Sequence, residues 1–146
     1  MKSQVSNEFL THGEWLRAVA GGKDVILRYT SALEYLQLFG GYLKETMIDV
    51  YAKEPGEHEN IDYMIADSFD GIDYFQSGNV LCTTADQTVN DMLEDFENID
   101  DQSFIEGLSC YYYTHDKSFA GLNIKPENID QFNEIKDWAI EYYDEV

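Results

Sequence analysis

The chain has 146 residues, 29 of them Asp or Glu against 9 Lys or Arg, for a formal net charge of −20. A field of that sign repels nucleic acid and anionic membrane and attracts basic partners, while 44% hydrophobic and 14% aromatic content sets the chain apart from disordered acidic tails. The length suits one domain with a self-sufficient core, no apolar run approaches the ~20 residues of a membrane span, and residues 1–10 lack the apolar stretch of a signal peptide.

The charge is concentrated. From Glu54 to Asp116 the chain carries 16 acidic residues and no Lys or Arg, whereas residues 1–53 balance six acidic against six basic. Cys82 and Cys110 are the only cysteines. Two thiols without a C-x-x-C or a Cys/His cluster make neither a disulfide framework nor a metal site, and they read as packing residues of a cytoplasmic protein.

In chain order, Thr11 and Glu14 form a T-x-x-E capping box that opens a helix over 12–20. Residues 25–29 read as a short buried strand. Ser31 and Glu34 form a second capping box, opening a helix with Leu33, Leu36 and Phe39 inward, and Gly40-Gly41 stops it. Residues 46–52 and 61–66 read as strands on either side of a polar turn at 55–60. A further strand at 71–75, a tight turn at 77–79 and a strand at 79–83 complete a small sheet.

The clearest helix follows. Thr84 is its N-cap, with Gln87 completing a T-x-x-Q box, and Val89, Met92, Leu93 and Phe96 make one apolar stripe at i, i+3, i+4 and i+7. The opposite face carries Asp86, Asn90, Asp91, Glu94, Asp95 and Glu97. Asp100 or Asp101 caps the next helix, with Phe104, Ile105, Leu108 and Tyr112 inward. Pro126 opens the last helix, over about 126–144, with Ile129, Phe132, Ile135, Ala139 and Tyr142 inside. The fold class is α+β: a single globular domain over 1–146, with a small mixed sheet of about 4–5 short strands and about 4–5 helices.

Motifs for catalysis or cofactor binding are missing. His12, His58 and His115 have no metal spacing, and there is no G-x-S-x-G or phosphate loop. Asp95 and Glu106 stand at the first and twelfth positions of a possible calcium loop, but Ile99 occupies a ligand position and Asp100 stands where the loop needs glycine. No enzyme activity, metal or cofactor is expected. The candidate site is a partner-binding surface of Asp86, Asp91, Glu94, Asp95 and Glu97 with Tyr111 and Tyr113, because a like-charged face without interspersed cations suits docking to a basic protein. Of the run Tyr111 to Tyr113, one or two side chains are expected to be exposed, and tyrosine is a favoured interface anchor.

The segment order resembles the AbiEi-like antitoxin family of bacterial abortive-infection toxin–antitoxin systems. The residues that carry the resemblance are Tyr29-Thr30-Ser31-Ala32-Leu33, Ile48-Asp49-Val50-Tyr51, and Val80-Leu81-Cys82-Thr83-Thr84 running into Asp86-Gln87-Thr88-Val89-Asn90-Asp91-Met92-Leu93, then the acidic turn 98–101. It spans about residues 25–113. It implies an antitoxin that neutralises a nucleotidyltransferase-type toxin encoded next to it, by direct protein–protein contact. The N-terminal winged helix-turn-helix of such antitoxins has no counterpart here, since only ~24 non-basic residues precede the first strand, so direct nucleic-acid binding is not implied. The alternative is a nucleic-acid-mimicking inhibitor, of anti-CRISPR or anti-restriction type, directed at a basic nucleic-acid enzyme.

Overall fold

The three apolar residues of β1 (Val25–Leu27) lie at the centre of the molecule, all of them buried. A computed structural model describes residues 24–39, 48–56 and 61–144. The helix expected at 12–20, the Gly40-Gly41 stop and part of the 55–60 turn lie outside those residues.

Around β1 the sheet is built from β2 (Ile48–Ala52), β3 (Ile61–Ile65), β4 (Tyr74–Ser77) and β5 (Val80–Thr83), in the order β3-β2-β1-β5-β4. β1 runs antiparallel to β2 and parallel to β5, β2 and β3 are parallel, and β4–β5 is an antiparallel pair. A turn at Gly78, with φ at +61°, joins that last pair. Glycine takes this left-handed conformation without steric cost. The sheet is therefore mixed, and the domain is α+β, with four helices among the described residues. Among the described residues no helix is long and apolar enough to cross a membrane.

Strand alternation gives the sheet two unlike faces. Val25, Leu27, Ile48, Val50, Ala52, Ile61, Val80 and Cys82 form one apolar cluster. The register places Tyr51 beside Ile26 and Asp49 beside Asp62 on the other face, which is apolar at Ile26 and Leu81 and turns polar toward Arg28 and Asp49.

The helix α1 (Tyr29–Tyr35) follows β1 after a single residue, Arg28, which occupies the N-cap position without a side-chain cap bond. The expected capping box at Ser31 and Glu34 is not formed. The chain enters the helix three residues earlier, so Ser31 sits inside it, buried, and its Oγ accepts the backbone N–H of Asp49 at 2.9 Å. That bond ties α1 to β2. Ala32 of α1 joins the sheet cluster, while Leu33 joins a second cluster made by the other helices.

Those helices are α2 (Ala85–Glu94), α3 (Asp101–Thr114) and α4 (Ile129–Asp144), the last preceded by a 3₁₀ turn at Pro126–Asn128. Val89, Met92 and Leu93 of α2, Phe104 and Leu108 of α3, and Phe132, Ile135 and Ala139 of α4 interdigitate. Each large side chain among them stabilises the fold by about 1.5–3 kcal/mol through burial. Thr84 caps α2 by accepting the Gln87 N–H, and Asp100 caps α3 by accepting the Ser103 N–H.

The inner face of α3 differs from expectation. Phe104, Leu108 and Tyr111 are buried at i, i+4 and i+7, while Ile105 and Tyr112 are half-buried. The reason lies downstream: Phe119 and Leu122 fold back onto this helix and cover Tyr111. On α4, the helical spacing places Ile129 inside, but it is 40% exposed, standing at the very start of the helix.

Candidate functional site

Among the described residues Arg28 is the one buried cation, 7% exposed, at the polar end of that sheet face. Its guanidinium carbon lies 3.5 Å from the centroid of the Tyr29 ring and 4.5 Å from that of Tyr51. The planar cation is thus held against two aromatic faces. Both phenols pass the interaction outward: Tyr29 donates to Asp95 Oδ2 at 2.8 Å, and Tyr51 donates to Asp91 Oδ2 at 2.6 Å. Tyr29 has a φ of +51°, a conformation that costs a bulky residue about 1–2 kcal/mol.

The carboxylates around this cation divide by environment. Burial raises Asp91, opposed by its bonds from Tyr51 and Gln87 and by the charge of Arg28. Asp95 lies near solvent and is held below the usual carboxylate range by bonds from Asn98 and Tyr29. Asp49 is pushed up to about 6 by burial and by Asp62, with Arg28 opposing. Glu34 is pushed up to about 8, again by burial first and then by the charge of Asp49. Burial also raises the Tyr29 hydroxyl to about 12 and raises Tyr51 further.

The acidic face of α2 is therefore not a uniform solvent-facing stripe. Asp91 and Asp95 accept bonds from sheet-face tyrosines. Asp86 accepts the backbone N–H of Asn123 at 3.0 Å and its side-chain amide at 2.9 Å. Glu94 pairs at 3.9 Å with Lys125, and both side chains are about half exposed. Glu97 stays exposed, and with Glu94, Asp95 and Asn98 it borders a depression of about 380 Å³ that reaches Gln131 of α4. Asp100 and Asp101 continue this exposed acidic corner into α3.

The two tyrosines of the candidate site are not free anchors. Tyr111 is buried, with its ring stacked on His115 at 3.7 Å between centroids. Tyr113 is half-buried and donates to the Ile140 carbonyl at 2.7 Å, bridging α3 to α4. None of Tyr111, Tyr112 and Tyr113 is exposed, because α4 and the segment 118–122 pack on both sides of the helix end.

Three residues of this region escape a periodicity reading. Arg28 follows an apolar strand and looks like a loop cation; only strand alternation places it on the same face as Asp49 and Tyr51. Tyr51 reads as an ordinary strand aromatic. Asn90 sits among charged neighbours on α2 but is 2% exposed. Cys82 is buried and Cys110 half-buried, and both thiols are free.

No protein-family model matches this chain, and no curated protein matches it in sequence.

Proposed function

We propose that this chain is an acidic interaction module that neutralises a basic, nucleic-acid-handling protein by direct contact, in the manner of an antitoxin. The observation that carries this reading is the exposed acidic corner from the end of α2 to the start of α3. Glu94, Glu97, Asp100 and Asp101 face solvent there, within a stretch of 63 residues that has no Lys or Arg. A predominantly acidic surface, with Lys125 beside Glu94 at its edge, accelerates encounter with an oppositely charged groove and discriminates against acidic partners.

The engagement of Asp86, Asp91 and Asp95 in internal hydrogen bonds shifts the contact surface toward Glu94 and Glu97. It also favours a protein partner over nucleic-acid mimicry, since a mimic needs its carboxylates spaced outward along an extended surface.

The test is growth rescue by co-expression with the neighbouring gene, followed by measurement of the complex at two salt concentrations. Glu97→Lys with Asp101→Lys should weaken the complex and lower its salt dependence. A harmless neighbour, or a complex indifferent to both reversals and to salt, overturns the reading.

A further inference from the structure

Trp138 is 58% exposed on α4, the most exposed large apolar side chain among the described residues. It stands in a groove of about 350 Å³ between α3 and α4, lined by Asp101, Gln102, Ile105, Trp138, Glu141 and Tyr142. The composition is specific: Trp138 and Ile105 supply apolar surface, and Asp101 and Glu141 supply two exposed carboxylates. Tyr142 is fixed at one side, because its hydroxyl donates to Glu106 Oε1 at 2.7 Å.

Helix geometry extends the pattern. Glu134 and Glu141 stand at i−4 and i+3 from Trp138, so both lie on its face of α4 and both are exposed. Gln131, seven residues before Trp138, lies on that face too and borders the depression at Glu94 and Glu97. The groove thus continues the acidic corner. The nearest lysine in sequence, Lys136, is two residues from Trp138 and points away from this face.

We propose that this groove seats an arginine side chain from a basic segment of the partner protein, with the guanidinium on the Trp138 ring and within reach of Asp101 and Glu141. An indole is the best aromatic acceptor for a cation, and carboxylates at its edge fix the planar fork. Charge complementarity selects this occupant. A nucleic acid or an acidic peptide meets Asp101, Glu134 and Glu141 first, and a second copy of this chain brings the same acidic face. The proposal rests on the basic-partner reading and adds the side chain recognised and the place where it binds.

The experiment is fluorescence anisotropy with a labelled peptide of alternating arginine and glycine, against the same peptide carrying neutral citrulline for arginine, titrated with the full chain. The arginine peptide binds and the citrulline peptide does not. Trp138→Ala weakens binding about tenfold, Glu141→Gln weakens it severalfold, and Trp138→Phe recovers part of the loss. Asp67→Asn with Asp70→Asn, which removes two exposed charges from the β3–β4 loop, leaves binding within about twofold. Circular dichroism and sedimentation of each variant accompany the titrations.

Binding unaffected by Trp138→Ala, or weakened as much by the loop variant, overturns the groove while leaving the basic-partner reading intact. Self-association that disappears in Trp138→Ala overturns it in favour of a second copy. No binding of the arginine peptide by the unsubstituted chain also overturns it. The basic-partner reading fails separately, through a harmless neighbour or a complex indifferent to salt.

Discussion

The Tyr51 hydroxyl donates to Asp91 Oδ2 at 2.6 Å, fastening the second strand of the sheet to the middle of α2. The sheet-side partner is aromatic, so the same ring also lies against Arg28. Tyr51→Phe keeps the ring and removes the donor, leaving Asp91 with its bond from Gln87 Nε2 at 2.8 Å. Because Asp91 is largely buried, the loss should be about 2 kcal/mol, near the cost of stripping a bond from a buried charged group. Tyr29→Phe strips the corresponding bond from Asp95, which solvent reaches, and should cost less than about 1 kcal/mol. Urea unfolding midpoints check the pair. Equal losses would mean that the two carboxylates share one environment, contrary to their positions.

Arg28 is the common element of that network. Replacing it by methionine keeps an unbranched, though shorter, apolar stem and deletes the charge that offsets Asp49 and Asp91. Removing one partner of a buried charge cluster costs about 3–5 kcal/mol, so Arg28→Met should unfold at much lower denaturant. Arg28→Lys keeps the charge but loses the flat stack on Tyr29 and Tyr51, and should fall between the two. An Arg28→Met protein as stable as the parent would show that the surrounding carboxylates are already neutral.

Glu34 gives the pH dependence a definite sign. Its folded-state value is raised to about 8 from the ordinary 4.5 by burial and the nearby charge of Asp49. The folded chain then holds a proton that the unfolded chain has released. This contribution to stability is complete below about 4.5 and is lost as pH rises to about 8. Asp49, raised to about 6, acts in the same direction over a lower window. Melting temperature should therefore fall between about pH 5 and about pH 8. Glu34→Gln should flatten the upper part of that slope and melt higher than the parent at the alkaline end. Parallel curves for the two proteins would mean that Glu34 ionises normally.

What the sequence made legible follows from the range of each interaction. The apolar stripe of α2, its Thr84 cap and the Asp100 cap of α3 depend on residues within a few positions of one another, and they are found where periodicity and capping place them. The Ser31 capping box failed because a local pattern was overridden by a long-range tie, the Asp49 N–H bond, which only the β1–β2 pairing reveals. The face of α3 was misjudged for a related reason. Helical spacing alone does not decide between Tyr111 and Tyr112; both meet Phe119, and Tyr111 is the one that joins the buried cluster with Leu122, residues that arrive from outside the helix. The acidic face of α2 reads from sequence as a docking surface, yet Asp86, Asp91 and Asp95 are engaged inside the molecule. Their partners Tyr29, Tyr51 and Asn123 are distant in sequence, and nothing local announces them. Trp138 falls outside the inner stripe of α4, and its exposure shows only once α3 is packed beside it.

Asn90 makes the sharpest test of that long-range packing. Its side-chain nitrogen donates to the carbonyls of Asp86 at 2.8 Å and Asn123 at 2.9 Å, and its oxygen accepts from the Lys125 N–H at 2.9 Å and the Asn128 amide at 3.0 Å. All four hydrogen-bonding positions of the amide are therefore used, and three of the bonds reach the segment 123–128 that leads into α4. Asn90→Ala leaves four part-buried or buried groups without their partner, and should cost about 2–4 kcal/mol. Asn90→Asp keeps the acceptor but exchanges the donors for a buried negative charge beside Asp86 and Glu94, and should be at least as damaging at neutral pH. Because the sheet and the helix caps do not depend on Asn90, the loss should be local first. Amide exchange should accelerate at residues 122–128 and in the first turn of α4 while the β1 and β2 amides keep their protection. Uniform acceleration across the sheet would instead make this segment part of one cooperative unit with the strands, and Asn90 a determinant of the whole fold.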